Sequence, residues 1–151
     1  MVKREEGQLI AVVGGSGFVG RHTVRALAQR GYRVRAVVRR PDLAGHLQPM
    51  GSVGQIHAVQ GNVRYPDSIA RALEGADGVV NLVGILAKTG AQTFDTVHTS
   101  GARTVAQAAR AAGARRLVHV SALGCSTTSA GQYGRTKAAG EAAVQDAFPE
   151  G

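Results

Sequence analysis

Short apolar runs rich in Val, Ile and Leu alternate along the chain with stretches in which apolar residues recur at helical spacing. Leu9 to Val13 is such a run and ends in glycines, which predicts a strand leading into a tight turn. Val24, Leu27 and Ala28 then share one helical face, and Gly31 stops the helix. Tyr32 to Val38 predicts a second strand, closed by the polar turn Arg39-Arg40-Pro41-Asp42. Ile56 to Val59 predicts a third strand, Pro66 to Leu73 a helix opened by proline, and Gly78 to Val83 a fourth, fully buried strand. After a loop at Ala87 to Gln92, a helix from about Phe94 to Ala112 would bury Val97, Gly101, Thr104, Val105 and Ala108 and stop at Gly113. Leu117 to Ser121 predicts a fifth strand, and Gln132 to Phe148 a last helix ended by Pro149.

Strands and helices that take turns in this way are joined by right-handed crossovers, which put parallel strands in one sheet. The expected fold class is therefore α/β: a Rossmann-type, doubly wound parallel sheet of about five strands with helices on both faces. A chain of 151 residues suits one domain, so residues 1–151 are read as a single nucleotide-binding unit. Phe148-Pro149-Glu150-Gly151 resembles the approach to another strand, and the expectation is a fragment or a truncated gene product.

Composition changes this picture little. The chain is 44% hydrophobic and 19% charged, as a globular domain is. Its net charge of +8 comes from fifteen arginines and three lysines, which raises the question of an anionic partner. The arginines form no run longer than two and aromatic residues make up only 4%, too few for a base-stacking platform, so no nucleic-acid partner is expected. Cys125 is the single cysteine and calls for no oxidising compartment; it is a poor nucleophile candidate. The histidines at 22, 46, 57, 98 and 119 show no paired ligand spacing, so no metal is expected, and His119, placed in a strand, is read as core. No stretch approaches the length of a signal peptide or a membrane span. A cytoplasmic location is expected, or a peripheral one on the cytoplasmic face of the inner membrane.

Chemistry enters at the first turn. Gly14, Gly15, Ser16, Gly17, Phe18, Val19 and Gly20 lie between a predicted strand and a predicted helix, and their glycines satisfy both G-x-x-G-x-x-G and G-x-G-x-x-G. Such a turn brings backbone amides and a helix N-terminus against a pyrophosphate. At the end of the second strand an acidic residue would bond a ribose 2′-hydroxyl, whereas a cation accommodates a 2′-phosphate. Arg39 and Arg40 stand there, Arg39 nineteen residues beyond Gly20, which favours NADP(H) over NAD(H). Asp42 keeps the alternative open, because a small shift of the loop would bring its carboxylate toward the ribose.

A second constellation lies further on. Ser121 ends the fifth strand, and Tyr133 and Lys137 are spaced to share one helix face. An ammonium beside a phenol favours the phenolate, and a serine hydroxyl can hold a substrate oxygen, so the set suits proton transfer at a carbonyl or hydroxyl.

With Gly14 to Gly20, Asn81-Leu82-Val83-Gly84 and Tyr133 to Lys137, nearly the whole chain resembles the extended and atypical short-chain dehydrogenase/reductase superfamily. The runs Asn81 to Leu86, Phe94 to Ala102, Arg116 to Ala122, Tyr133 to Glu141 and Ala147 to Glu150 are similar to the nucleotide-binding accessory subunit of respiratory complex I and its bacterial relatives. The resemblance implies that Gly14, Gly17 and Gly20 bind pyrophosphate, Arg39 the 2′-phosphate, Asn62 and Val63 the adenine edge, and that Leu82, Val83 and Gly84 line the cofactor. Asn62 departs from the Asp common in the superfamily. It further implies that Ser121, Tyr133 and Lys137 match a catalytic triad, the last two also meeting the cofactor. Two functions follow. One is an NADP(H)-holding protein whose cofactor is structural, with complex I or another membrane-associated assembly as partner. The other is an NAD(P)-dependent reductase, dehydrogenase or epimerase/dehydratase. The resemblance also implies a homodimer through the helices at Phe94 to Ala112 and Gln132 to Phe148, and a C-terminal substrate lobe that the 151 residues do not contain.

Overall fold

The computed structural model describes residues 7–149. The ordered elements are β1 (Leu9–Val13), α1 (Phe18–Gln29), β2 (Arg33–Val38), two short 3-10 turns at Pro41–Leu43 and Gly45–Met50, and β3 (Ile56–Gln60). They are followed by α2 (Pro66–Leu73), β4 (Gly78–Asn81), a π-helical turn at Asp95–Ser100 that runs into α3 (Gly101–Ala111), β5 (Arg116–His119) and α4 (Gln132–Ala147).

All five strands are parallel, in the order β3-β2-β1-β4-β5. The chain winds outward from β1 to β3, returns across the sheet, and continues from β4 to β5. The strand order therefore reverses between β1 and β4, and a crevice opens outside their C-terminal ends.

The side-chain period of two in each strand divides the core between the faces of the sheet. Ala11, Val13 and Val37 point to the side covered by α2, α3 and α4, where they meet Ile69, Leu73, Val105 and Leu117. Val12, Val34, Ala36 and Val38 point to the other side and pack with Val24 and Ala28 of α1 and with Leu47. Both sheet faces of β1 are thus buried, which accounts for its unbroken apolar sequence, whereas β2 begins with Arg33 and Arg35 on its less covered edge and is buried on both faces only from Ala36 to Val38.

Several element ends shift by a residue from those read in the sequence, and three differences bear on the site. β4 ends at Asn81, whose side-chain Oδ1 accepts the Val83 N–H at 3.2 Å and turns the chain away from the sheet. β5 ends at His119, so Ser121 lies just beyond the strand, and His119 is half-buried rather than core. The helix at Phe94 to Ala112 opens as a π-turn, which places the consecutive residues Val97 and His98 both inside. Its α-helical part lies between α2 and α4 and buries a wider arc than expected: Ala102, Ala106 and Ala109 are covered with Val105, while Thr104 and Ala108 are only half-buried.

Candidate functional site: a crevice at the switch point

The glycine turn forms the floor of the crevice. Gly14 has φ of +85°, a left-handed conformation that glycine adopts without penalty, and its N–H donates to Val37 O at 2.9 Å. A Cβ on Gly20 would fall on the Gly14 carbonyl oxygen and the Gly15 backbone, so this glycine lets α1 pack against the turn. Gly17 is different. A Cβ there would meet nothing closer than Gly14 O at 3.5 Å, an ordinary contact, so packing within the protein does not call for glycine. Gly17 lines the crevice, where a glycine would let a ligand come close to the backbone.

Gly17 is also the N-cap of the twelve-residue α1, with no side-chain capping bond and no acidic residue in the first turn. The first amides of the helix and its positive dipole end are left to an anion. The side chains of Phe18 and Val19 are exposed, so their part in an anion site would be through their amides.

The cavity above this floor has a volume of about 230 Å³, and its walls are the C-terminal ends of the first four strands. It is lined by nine of the expected cofactor residues: Gly14, Ser16, Gly17, Arg39, Asn62, Val63, Leu82, Val83 and Gly84. Gly61, Arg64, Ile85 and Gln92 also line it and were not singled out in the sequence. Gly15 and Gly20 lie behind the turn as packing positions. Arg40 borders an adjoining hollow with Ser16, Arg39 and Leu43.

At the end of β2 the two arginines are held differently. Arg40 grips Asp42 with two parallel bonds, Nε to Oδ1 at 3.0 Å and Nη2 to Oδ2 at 2.7 Å. The hydrogen bond from Arg40 holds the Asp42 carboxyl below its ordinary range, and Asp42 in turn raises Arg40. Arg39 has no such partner among the described residues and its exposed guanidinium stands at the crevice wall. The residues of the glycine turn and crevice thus fit a dinucleotide: free amides for a pyrophosphate and a cation for a further phosphate.

Ser121, Tyr133 and Lys137 do not line the crevice, and each meets partners of its own. Lys137 is 4% exposed, and its Nζ donates to Val120 O at 3.1 Å. Burial lowers its pKa, and the neighbouring Cys125 and Glu141 offset part of that. A Cβ added to Gly84 would lie 3.9 Å from this amine, which ties the lysine to the crevice rim. Ser121 Oγ lies 3.4 Å from Cys125 Sγ, and the thiol donates to Glu141 Oε1 at 3.0 Å. Hydrogen bonds from Cys125 and Ser121 hold Glu141 below the usual carboxylate range. Tyr133 turns its half-buried ring edge-on to His98, with centroids 5.1 Å apart.

His98 is a residue that the sequence reading weighed only as a metal ligand. It is fully enclosed beneath the crevice, where Nε2 accepts the Ile85 N–H at 3.0 Å and Nδ1 bonds Thr136 Oγ1 at 3.0 Å. Since Nε2 must be the acceptor, Nδ1 carries the proton and donates it to Thr136. Burial, followed by the charge of Lys137, pushes its pKa down to about 4, so the ring is neutral at neutral pH.

The chain matches the NAD(P)H-binding family over residues 14–148. It is 38% identical over 141 residues to the ceramide reductase of Caulobacter vibrioides, covering 93% of this chain and 43% of that protein. To the mouse mitochondrial NADH dehydrogenase [ubiquinone] 1 alpha subcomplex subunit 9 it is 36% identical over 146 residues, covering 95% of this chain and 38% of the relative. The fold is that of the Bordetella bronchiseptica enzyme WbmG, solved in complex with NAD, with a TM-score of 0.74 at 21% identity over 97% of this chain and 52% of that one. The chain thus spans about two fifths of the length of the curated relatives it matches. Its glycine turn, switch-point crevice and sequence agree, and the chain belongs to the NAD(P)H-binding family of Rossmann-type domains.

Proposed function

We propose that the crevice holds NADP(H) in preference to NAD(H), with the pyrophosphate against the glycine turn Gly14 to Gly20 and on the first amides of α1, and the 2′-phosphate on Arg39. The observation that carries this reading is the division of labour at the end of β2. Arg40 engages the one carboxylate of that turn, Asp42, while Arg39 faces the crevice with its donors available. A dianion placed there gains a charge-assisted, two-pronged contact that a 2′-hydroxyl cannot make.

As to what the bound nucleotide does, the first reading, supported by the likeness to a mitochondrial NADH dehydrogenase subunit, is a holding role in which the cofactor stabilises the fold or an interface. No helix among the described residues is long and apolar enough to cross a membrane. A homodimer would join the outer faces of α3 and α4, where Arg103, Gln107, Arg110, Gln132, Arg135 and Gln145 are exposed; faces so polar suit a weak association.

The second reading is an oxidoreductase or epimerase, and the observation favouring it is the enclosed Lys137 amine beside Gly84 at the rim of the crevice. A cation there would favour the Tyr133 phenolate as proton donor or acceptor, and Ser121 would hold the substrate oxygen. NADP(H) would supply or receive the hydride.

Nucleotide released from the purified chain by denaturation tests the holding role. Near-stoichiometric NADP(H), with no carbonyl-dependent oxidation of the bound reduced form, supports it. Rapid substrate-dependent oxidation selects the enzyme, and recovery of NAD(H) alone refutes the 2′-phosphate reading.

A further inference from the structure

Charge divides this molecule by the faces of its sheet. From Gly7 to Pro66 the chain has a single acidic residue, Asp42, and Arg40 already holds it. The other acids of the described residues lie in or beside α2, the π-turn and α4 on the opposite face, except Asp77 just before β4. The near face is that of α1, whose Val24 and Ala28 are turned into the core while Arg21 and Arg25, with Arg30 at the C-cap, are exposed. Among the described residues no acidic partner reaches these three arginines. Arg21 and Arg30 each bond a carbonyl of their own helix through one nitrogen, which leaves them further donors.

Bulky apolar side chains stand at the start of the same helix. Phe18 is 76% exposed, Val19 52% and Leu43 67%, and Leu43 borders a hollow with Ser16, Arg39 and Arg40, which places it beside that helix end. Apolar residues exposed singly are ordinary, but three around one helix end, among cations, mark an interaction surface. A nucleic acid would use the cations and leave the three apolar side chains in water. It also needs rings to stack on, and Phe18 is turned edge-on to His22, with centroids 5.3 Å apart. The headgroup region of a bilayer takes up both kinds of side chain.

We propose that the outer face of α1, with Phe18, Val19 and Leu43 at its leading end, docks on an anionic bilayer surface. Each arginine that reaches such a surface is worth about fivefold in affinity, and a leucine entering the headgroup boundary adds a contribution that salt does not screen. Because Ser16 and Gly17 line the crevice, docking here holds its mouth close to the lipid.

The test is flotation of the 151-residue chain with vesicles of phosphatidylcholine alone and of an equal mixture with phosphatidylglycerol, beside binding to poly(U). Binding should require phosphatidylglycerol, weaken as salt is raised, and exceed binding to poly(U). The double variant Arg21→Gln, Arg25→Gln should bind the mixed vesicles at least about tenfold more weakly, and Leu43→Ser about threefold more weakly with no change in charge. Arg71→Gln with Arg103→Gln removes the same charge from the opposite face and should cost less than about threefold. All five positions are exposed, and each variant is first checked for cooperative melting. Equal losses in the two double variants would reduce the contact to net charge and overturn the proposal, as would no binding to the mixed vesicles. Tighter binding to poly(U), or full affinity in Leu43→Ser, would make the partner a polyanion rather than a bilayer and overturn it as well. None of these substitutions touches a residue assigned to the dinucleotide, so failure here leaves that assignment standing.

Discussion

The His98 Nε2 atom accepts the amide proton of Ile85 at 3.0 Å, which ties the loop after β4, a wall of the cofactor crevice, to the π-turn before α3. Through its other nitrogen the ring reaches Thr136 Oγ1, one residue from Lys137. One neutral histidine therefore sets the crevice wall and the start of α4 relative to each other.

This relationship makes stability depend on pH. The folded-state pKa of His98 lies near 4 and the unfolded value near 6.5, so the unfolded chain binds more protons between those limits. The contribution is fully present above about pH 6.5 and is lost as pH falls through about 4, amounting to at most about 3 kcal/mol. His119 is shifted in the same direction, chiefly by burial, and adds to the effect. Urea unfolding from pH 7.5 to 4.5 should show falling stability, with a smaller slope in His98→Gln. An identical slope in that variant contradicts the assignment.

Two glycines of the turn should separate folding from binding. Gly20→Ala sets a methyl against the Gly14 and Gly15 backbone and should cost about 1–3 kcal/mol of stability or prevent folding. Gly17→Ala has room in the protein and should cost no more than about 1 kcal/mol, a helix N-cap effect, yet weaken dinucleotide binding at least about tenfold. Thermal melts and titrations of the pair check this; unchanged affinity in Gly17→Ala would remove the argument that a ligand requires that glycine.

Much of this site was legible in the sequence because its parts are local. The strand-turn-helix pattern around Gly14 to Gly20, the cations at 39 and 40 and the Tyr133 to Lys137 spacing are each contained in a few residues. The His98 contacts were not legible, since their partners lie 13 and 38 residues away and the turn that inverts His98 is a π-turn that no apolar period announces. The contact between Glu141 and the Cys125 thiol, 16 residues apart, was hidden for the same reason. The outcome at Asp42 also required coordinates: spacing alone left its carboxylate free to face the ribose, and the pairing with Arg40 shows where it goes instead.

Removing that carboxylate gives a further expectation. Asp42→Asn releases the Arg40 guanidinium beside Arg39 and removes a negative charge from the edge of the adjoining hollow. NADPH should bind more tightly and NADH about as before, with the gain shrinking as salt is raised. Weaker NADPH binding in this variant would mean that the Arg40–Asp42 pair positions Arg39 rather than competing for Arg40.

If the chain turns over a substrate, Tyr133→Phe should abolish turnover and leave cofactor affinity nearly unchanged. The ring packing against His98 does not need the hydroxyl, so melting should also be unaffected. Undiminished activity in Tyr133→Phe would exclude the phenol as the proton-transfer group.

The most direct measurement is titration of the wild type and Arg39→Ala with NADPH and with NADH. NADPH should bind the wild type more tightly than NADH, and the substitution should remove roughly 1.5–3 kcal/mol from NADPH binding alone, the scale of hydrogen bonds to a charged group. Equal losses for both nucleotides, or no loss for either, would contradict the assignment of Arg39 to the 2′-phosphate.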